Sequence, residues 1–121
     1  MPPRFNISGF DQFYRLSKTA AGLTGSLVKI TIKPVDSKWL RVLTHVSCEN
    51  KTNAFTKLRI GIDTRSQSHY LDELQTVAKN ELVVSRSDIL LGEGDVFFAE
   101  FTGTTTGDLL SFTCIGWQMA L

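Results

Sequence analysis

The chain contains little of the material from which metal sites and most catalytic sites are built. Its 121 residues include only two histidines, His45 and His69, and two cysteines, Cys48 and Cys114. The cysteines are far apart and form no CxxC motif or Cys/His cluster, which argues against a zinc site. Each lies inside a predicted strand, so we expect two reduced core residues; a disulfide between them is the alternative.

Catalytic motifs are missing as well. The segment HYLDEL lacks the second histidine that an HExxH zinc site requires, and no GxSxG nucleophile elbow is present. Two acidic pairs, Asp72–Glu73 and Glu93–Asp95, lack the spacing of a dedicated calcium loop. Solvated turn carboxylates explain them, with a bound cation as the alternative. We therefore expect a protein that is not an enzyme and needs no cofactor.

Long apolar runs and dense clusters of basic residues are also absent. No apolar run reaches membrane-spanning length. The first residues lack the basic segment followed by an apolar stretch that a secretory signal needs, so we expect cytoplasmic synthesis. The net charge is only +1, and lysine and arginine are too sparse for ordinary nucleic-acid binding. The sequence thus predicts neither a membrane nor a nucleic-acid partner.

The charges are nevertheless divided unevenly along the chain. Lysine and arginine exceed aspartate and glutamate by four in residues 1–40 and by three in residues 41–69, whereas residues 70–121 carry a balance of −6. A folded domain can intermix such charges. The alternative is a protein with unlike faces that meets copies of itself or a charged partner.

Alternation of apolar and polar residues begins at residue 26 and dominates the rest of the chain. Seven segments are predicted to be strands, with HYL as a short edge strand and ELVVS as a brief one: SLVKITIK, KWLRVLTHVSC, FTKLRIGID, HYL, ELVVS, DVFFAEFT and DLLSFTCIGWQ. Turn signals recur about every ten residues, and no long helix is apparent. Residues 26–121 are therefore predicted to form an antiparallel β-sandwich of seven or eight strands, jelly-roll-like, with immunoglobulin-like topology as the alternative.

Several local expectations accompany this fold. In KWLRVLTHVSC, strict alternation places four residues on one face, namely Leu40, Val42, Val46 and Cys48. DELQTVAKN is expected to be a helical turn or a loop, and RSDILLGEGD a connection. GTTTG is expected to be the exposed tip of a hairpin, because no helix or lysine follows it as in a phosphate-binding loop. The strands beside it are apolar on both faces, so they should lie near the middle of a sheet.

Residues 1–25 follow no sustained period and are predicted to be an arm outside the sandwich. A short helix within DQFYRLSKTAA is one alternative, since Asp11 could cap it. The aromatic rings of the arm either pack on their own domain or dock on a neighbouring subunit. The candidate anchors for a partner are Phe5, Phe10, Phe13 and Tyr14.

A second use of aromatic residues concerns sugars. Many β-sandwich proteins stack exposed aromatic side chains on carbohydrate. The candidates are Trp39, Tyr70 and Trp117, provided that they are exposed on one face. Core or interface positions are the alternative for the two tryptophans.

The order of these features resembles small virion structural proteins of phages and related viruses. In that family a Lys/Arg-Trp-Arg-Val type segment opens a strand, a Gly-Asp-x-φ-x-Ala strand precedes a glycine-rich tip, and a Gly-Asp-x-Leu strand ends in Gly-x-Gln. The matching positions are Lys38 to Val42, Gly94 to Ala99, and Gly107 to Gln118. The resemblance covers residues 27–118.

The resemblance implies a non-enzymatic capsid decoration, cement or fibre-base protein located in the virion. Its partners would be the major capsid protein or other virion subunits, and it would form a homo-oligomer, with a trimer favoured. A carbohydrate- or receptor-binding module of a viral fibre or tail is the alternative function.

Overall fold

Nine β-strands make up the fold in the computed structural model, which describes residues 12–85 and 87–121. No helix occurs within these residues. The strands are β1 (Gln12–Ala21), β2 (Val28–Thr31), β3 (Trp39–Asn50), β4 (Phe55–Thr64), β5 (Gln67–Val77), β6 (Val83–Ser85), β7 (Ile89–Leu91), β8 (Val96–Thr102) and β9 (Leu109–Ala120).

The strands are divided between two antiparallel sheets. The first sheet has the order β1-β9-β3-β6, with β7 also pairing with β3, and the second has the order β2-β8-β4-β5. The inner faces share one buried cluster, in which Phe97 of the second sheet and Phe112 of the first have ring centroids 5.6 Å apart. The predicted all-β sandwich is confirmed, with nine strands instead of seven or eight.

The strand β1 replaces the helix considered for DQFYRLSKTAA, so that alternative is wrong. β1 pairs with β9 over its whole length, from Gln12 opposite Gln118 to Ala21 opposite Leu109. A helix of this length is marginal by itself, whereas pairing with β9 satisfies the backbone and lets Leu16 pack against the core. Residues 12–21 of the predicted arm thus belong to the first sheet, and residues 1–11 of it lie outside the described residues.

A β-bulge in β3 changes which residues face the core. The register with β9 shifts between Leu43 and His45, so Thr44 is an extra residue. Residues after the bulge therefore exchange faces, and Leu43 and Val46 both point into the core cluster, whereas Val42 points outward. The expectation that Val42 shares a face with Val46 and Cys48 is wrong, because it assumed an unbroken alternation.

GTTTG does not form a hairpin, because the strands that it joins belong to different sheets. β8 is flanked by β2 and β4, and β9 by β1 and β3, so both are central strands, as predicted. Residues 103–108 cross between the sheets and are held by the β1–β2 loop. The Gly22 N–H donates to the carbonyl of Asp108 at 2.8 Å, and the Thr106 N–H donates to the Thr24 hydroxyl at 2.9 Å.

Asp108 anchors this crossing from a buried position. Its carboxylate accepts hydrogen bonds from the side-chain amides of Asn50 at 2.9 Å and Asn53 at 2.6 Å, and from the Thr105 N–H at 2.9 Å. Burial raises the pKa of Asp108, but the three hydrogen bonds outweigh burial and leave that pKa below its usual value. The carboxylate therefore serves as a structural clamp within the crossing.

The predictions of a helical turn or loop for DELQTVAKN and of a connection for RSDILLGEGD are wrong where these segments belong to strands. HYL, predicted as a short edge strand, is part of β5, which continues through DELQTV at the edge of the second sheet. Ile89–Leu91, predicted to lie in a connection, forms β7 and pairs with residues 41–43 of β3. Each segment forms a strand because a long neighbouring strand offers an unpaired edge with which its backbone can pair.

The two cysteines are free and buried, as the sequence predicted. Burial raises the pKa of Cys114 to about 12 and also raises the pKa of Cys48. Both side chains therefore stay protonated and contribute to the core as small apolar groups.

Candidate interaction surface

A row of apolar side chains crosses the outer face of the first sheet. The register places Phe13 of β1 opposite Trp117 of β9, Trp117 opposite Val42 of β3, and Val42 opposite Leu90 of β7. Residues directly opposite each other in antiparallel strands share one face. These four residues, hereafter the outer row, therefore lie side by side across four strands on the side facing away from the core.

The outer row is exposed at both ends and closed at its centre. Phe13 is 49% exposed and Leu90 is 51% exposed, whereas Val42 is only 1% exposed although it points away from the core. The neighbouring side chains of the row must therefore cover Val42. The Phe13 and Trp117 rings meet edge to face, with centroids 5.3 Å apart, an arrangement that favours a fixed geometry.

Further apolar and basic groups border the outer row. Leu40 and Met119 are opposite each other and half-buried in the same face of the sheet. The guanidinium of Arg15 lies 5.2 Å from the centroid of the Phe13 ring. Aromatic residues and arginine are enriched where proteins bind each other. The composition of this surface is thus typical of an interface.

Only one described anchor candidate lies in the outer row. Phe13 belongs to it, but Tyr14 points to the opposite face of β1 and packs against the core cluster. Burial raises the pKa of Tyr14, and the Arg41 guanidinium, 4.0 Å from the ring centroid, partly opposes that increase. Phe5 and Phe10 lie outside the described residues.

The three sugar-binding candidates do not lie on one surface. Trp39 packs against the core cluster, and Trp117 belongs to the outer row. Tyr70 is 48% exposed and lies on the outer face of the second sheet, where its ring meets Phe98 edge to face at 5.7 Å. The structure therefore does not assemble an aromatic platform from these three residues.

The outer face of the second sheet is charged, in contrast to that of the first. Lys29 pairs with Asp63 at 2.6 Å, and Arg59 pairs with Glu73. Hydrogen bonds from Gln75 and Arg59 lower the pKa of Glu73. The two outer faces thus differ in polarity, while both signs of charge are intermixed in these ion pairs of the second sheet.

Acidic and histidine residues do not gather into a metal site in the described part of the chain. No group of three or more histidine, cysteine, aspartate or glutamate side chains could hold an ion there. Both carboxylate oxygens of Asp95 accept hydrogen bonds, from the Thr64 hydroxyl at 2.7 Å and the Gly92 N–H at 2.9 Å. In residues 12–85 and 87–121, no helix has the length and hydropathy to span a bilayer.

Val42 and Leu90 are the members of the outer row that the sequence did not indicate. Strict alternation predicts the wrong face for Val42, because it does not reveal the bulge at Thr44. Leu90 was placed in a connection, although the run Ile89-Leu90-Leu91 was an available strand signal.

Comparison with known proteins gives no family assignment. No protein-family model matches the chain, and no curated protein matches it.

Proposed function

We propose that this protein is a non-enzymatic structural component of a virus particle, most simply a capsid decoration or cement protein. The outer row carries this proposal, because an isolated domain seldom aligns aromatic and aliphatic groups across four strands and leaves those at both ends half-exposed without a partner. The partner is a neighbouring capsid subunit, whose apolar surface would cover Phe13, Trp117 and Leu90. Arg15 would contribute at the rim of the contact.

The strand order supports a jelly-roll topology within this proposal. β1 pairs with β9, β2 with β8, β3 with β6 and β7, and β4 with β5. If β6 and β7 are counted as one interrupted strand, the strands of the first half of the chain pair with those of the second half in reverse order, as in a long hairpin. Successive pairs belong alternately to the first and the second sheet. Viral capsid and lectin domains commonly use the jelly roll, but a fold alone does not define a function.

The energetics favour attachment through many copies. Covering the exposed halves of Phe13 and Leu90 is worth roughly 1.5–3 kcal/mol per copy. Association itself costs about 4–15 kcal/mol, so one row supplies only part of a stable contact. A homo-oligomer, with a trimer as the simplest case, would present several rows at once and gain affinity through avidity.

Replacing the ends of the outer row tests the proposal. Phe13→Asp/Leu90→Asp should remain folded, because both side chains are half-exposed, yet bind purified capsids at least about tenfold more weakly in co-sedimentation. The matched control is Leu23→Asp/Leu27→Asp, since these leucines are 49% and 50% exposed and lie outside the row. The control should bind like the unmodified chain.

Equal binding by the outer-row variant and the control would contradict this function.

Sugar or receptor recognition is the second candidate function. Its supporting observation is the half-exposed Tyr70 ring, which has the Arg59 guanidinium 4.7 Å from its centroid. If Tyr70→Ala alone abolished attachment and free sugar competed with it, the second candidate would replace the first.

A further inference from the structure

A groove runs along one side of the sandwich, between the edge strand β5 and the short strands β6 and β7. It contains two cavities of about 350 and 300 Å³, and both are lined by Ile60, Asp72 and Ser85, so they adjoin each other. On the opposite side, β1 and β2 contact each other, and the Lys18 ammonium donates to the Thr31 carbonyl at 2.6 Å. One side of the sandwich is closed and the other is open.

Irregularities in both sheets keep the groove open. In the first sheet, the edge is interrupted between β6 and β7, beside the bulge at Thr44 of β3. In the second sheet, the β4–β5 register shifts between Ile60 and Gly61. Ile60 and Ser85 line both cavities, so the two irregularities lie at the middle of the groove.

The floor and one wall of the groove suit an extended chain. Val46, Leu58 and Ile60 form an apolar floor from the core cluster. β5 pairs only with β4 among the described strands, and every one of its eleven residues except the last is exposed. Such an edge presents backbone N–H and C=O groups that an added strand can pair with.

The groove is also acidic. Four carboxylate residues line the two cavities, namely Asp72, Glu73, Glu81 and Asp88, and no lysine or arginine is among the described lining residues. Arg59 reaches Glu73 from the outer face of the sheet. A concave surface with one sign of charge attracts ligands of the opposite sign.

We propose that the groove binds an extended segment of a partner protein that carries apolar residues and a lysine or arginine on the same face, because Asp72 lies opposite Ile60 and therefore faces the same side as the apolar floor. The segment adds to β5 as a further strand, its apolar side chains occupy the two cavities, and its cations face the carboxylates. This is recognition by strand addition, in which backbone hydrogen bonds give affinity and pockets give specificity. The groove adjoins the outer row at Leu90, which lines the second cavity, but the proposal does not depend on the function proposed for the outer row.

The direct probe is a capped hexapeptide in which valine, lysine and valine occupy alternate positions with serine between them, hereafter the valine–lysine peptide, titrated calorimetrically into the full chain. We expect saturable binding and slower hydrogen exchange of the β5 amides. Asp72→Asn/Asp88→Asn should weaken binding at least about tenfold, since it removes two charges while the amide oxygen introduced at position 72 can still accept the bond from the Glu73 N–H. Ser85→Phe should weaken it similarly by filling the shared centre of the groove.

Matched controls separate strand addition from nonspecific attraction. Asp36→Asn/Glu93→Gln removes two exposed charges outside the groove and should leave binding unchanged. An N-methylated valine–lysine peptide should bind at least about tenfold more weakly, because it cannot form the backbone ladder.

Three results would overturn the proposal. The first is absence of binding by the valine–lysine peptide, which would make the acidic β5 merely a protected edge. The second is equal binding of the N-methylated peptide or of a valine–glutamate peptide. The third is loss of self-association in Ser85→Phe without loss of peptide binding, which would make a second copy the occupant.

Discussion

At the scale of single residues, Asp108 explains why a threonine- and glycine-rich segment can be rigid. The residue is 1% exposed, and its carboxylate accepts hydrogen bonds from two asparagines and one backbone N–H. Thr104, which is 3% exposed, accepts a hydrogen bond from the Leu23 N–H at 3.1 Å. The crossing between the sheets is therefore an ordered part of the core boundary.

Asp108→Asn should destabilise the fold by about 1–3 kcal/mol, because an amide N–H would then face groups that themselves donate hydrogen bonds. The folded-state pKa of Asp108 is below its unfolded value of about 3.9. Its stabilising contribution is therefore present above that pH and is lost as the pH falls through the folded-state pKa.

Urea unfolding of both proteins between pH 7 and pH 2 measures this contribution. The difference in the free energy of unfolding should shrink as the solution becomes acidic. Two stability curves that stayed parallel throughout this range would show that Asp108 does not act as an ionised clamp.

At the scale of strands, the bulge in β3 requires glycine on the neighbouring strand. Gly116 of β9 lies opposite Leu43, and a Cβ atom there would collide with the Val42 carbonyl oxygen and the Leu43 Cα atom. The close approach of the two strands at this point fixes the position of the bulge. It thereby also fixes the outward direction of Val42 at the centre of the outer row.

Gly116→Ala should therefore destabilise the protein by about 1–3 kcal/mol through overpacking. Gly92→Ala is the matched control, because its Cβ would meet only the Asp95 carboxylate at 3.9 Å, and it should change stability by less than about 0.5 kcal/mol. Denaturant midpoints compare the two variants. Equal stability of both would remove the steric explanation of the bulge.

The strands were largely predictable from the sequence, but their partners were not. Alternation in SLVKITIK and FTKLRIGID identified β2 and β4, and the two-sided apolar character of DVFFAEFT and DLLSFTCIGWQ identified β8 and β9 as central strands. The same pattern carries no information on sheet membership, so it predicts a hairpin where the chain crosses from β8 to β9. The pattern likewise does not reveal the one-residue bulge at Thr44, which reverses the face of every later residue of β3.

The candidate site was only partly predictable for the same reason. Phe13 and Trp117 were identified as candidates separately, one as an anchor and the other as a sugar-binding residue. Their contact depends on the pairing of Phe13 with Trp117 across strands that are about a hundred residues apart in sequence. Long-range register of this kind cannot be derived from local periodicity.

At the scale of the whole molecule, the two outer faces differ in a way that suits directional attachment. The first sheet presents the apolar outer row, and the second presents ion pairs such as Lys29–Asp63. A protein that lies on a particle needs one face that loses water on contact and another that remains hydrated. The unlike faces are consistent with one orientation on a larger surface.

The fluorescence of Trp117 tests the central claim most directly, because this ring lies within the outer row whereas Trp39 packs against the core. In Trp39→Phe, addition of purified capsids should shift the Trp117 emission to shorter wavelength and protect it from a soluble quencher. In Trp117→Phe, the remaining Trp39 signal should not change. Binding to capsids that left the Trp117 emission and its quenching unaltered would contradict the assignment of the outer row as the interface.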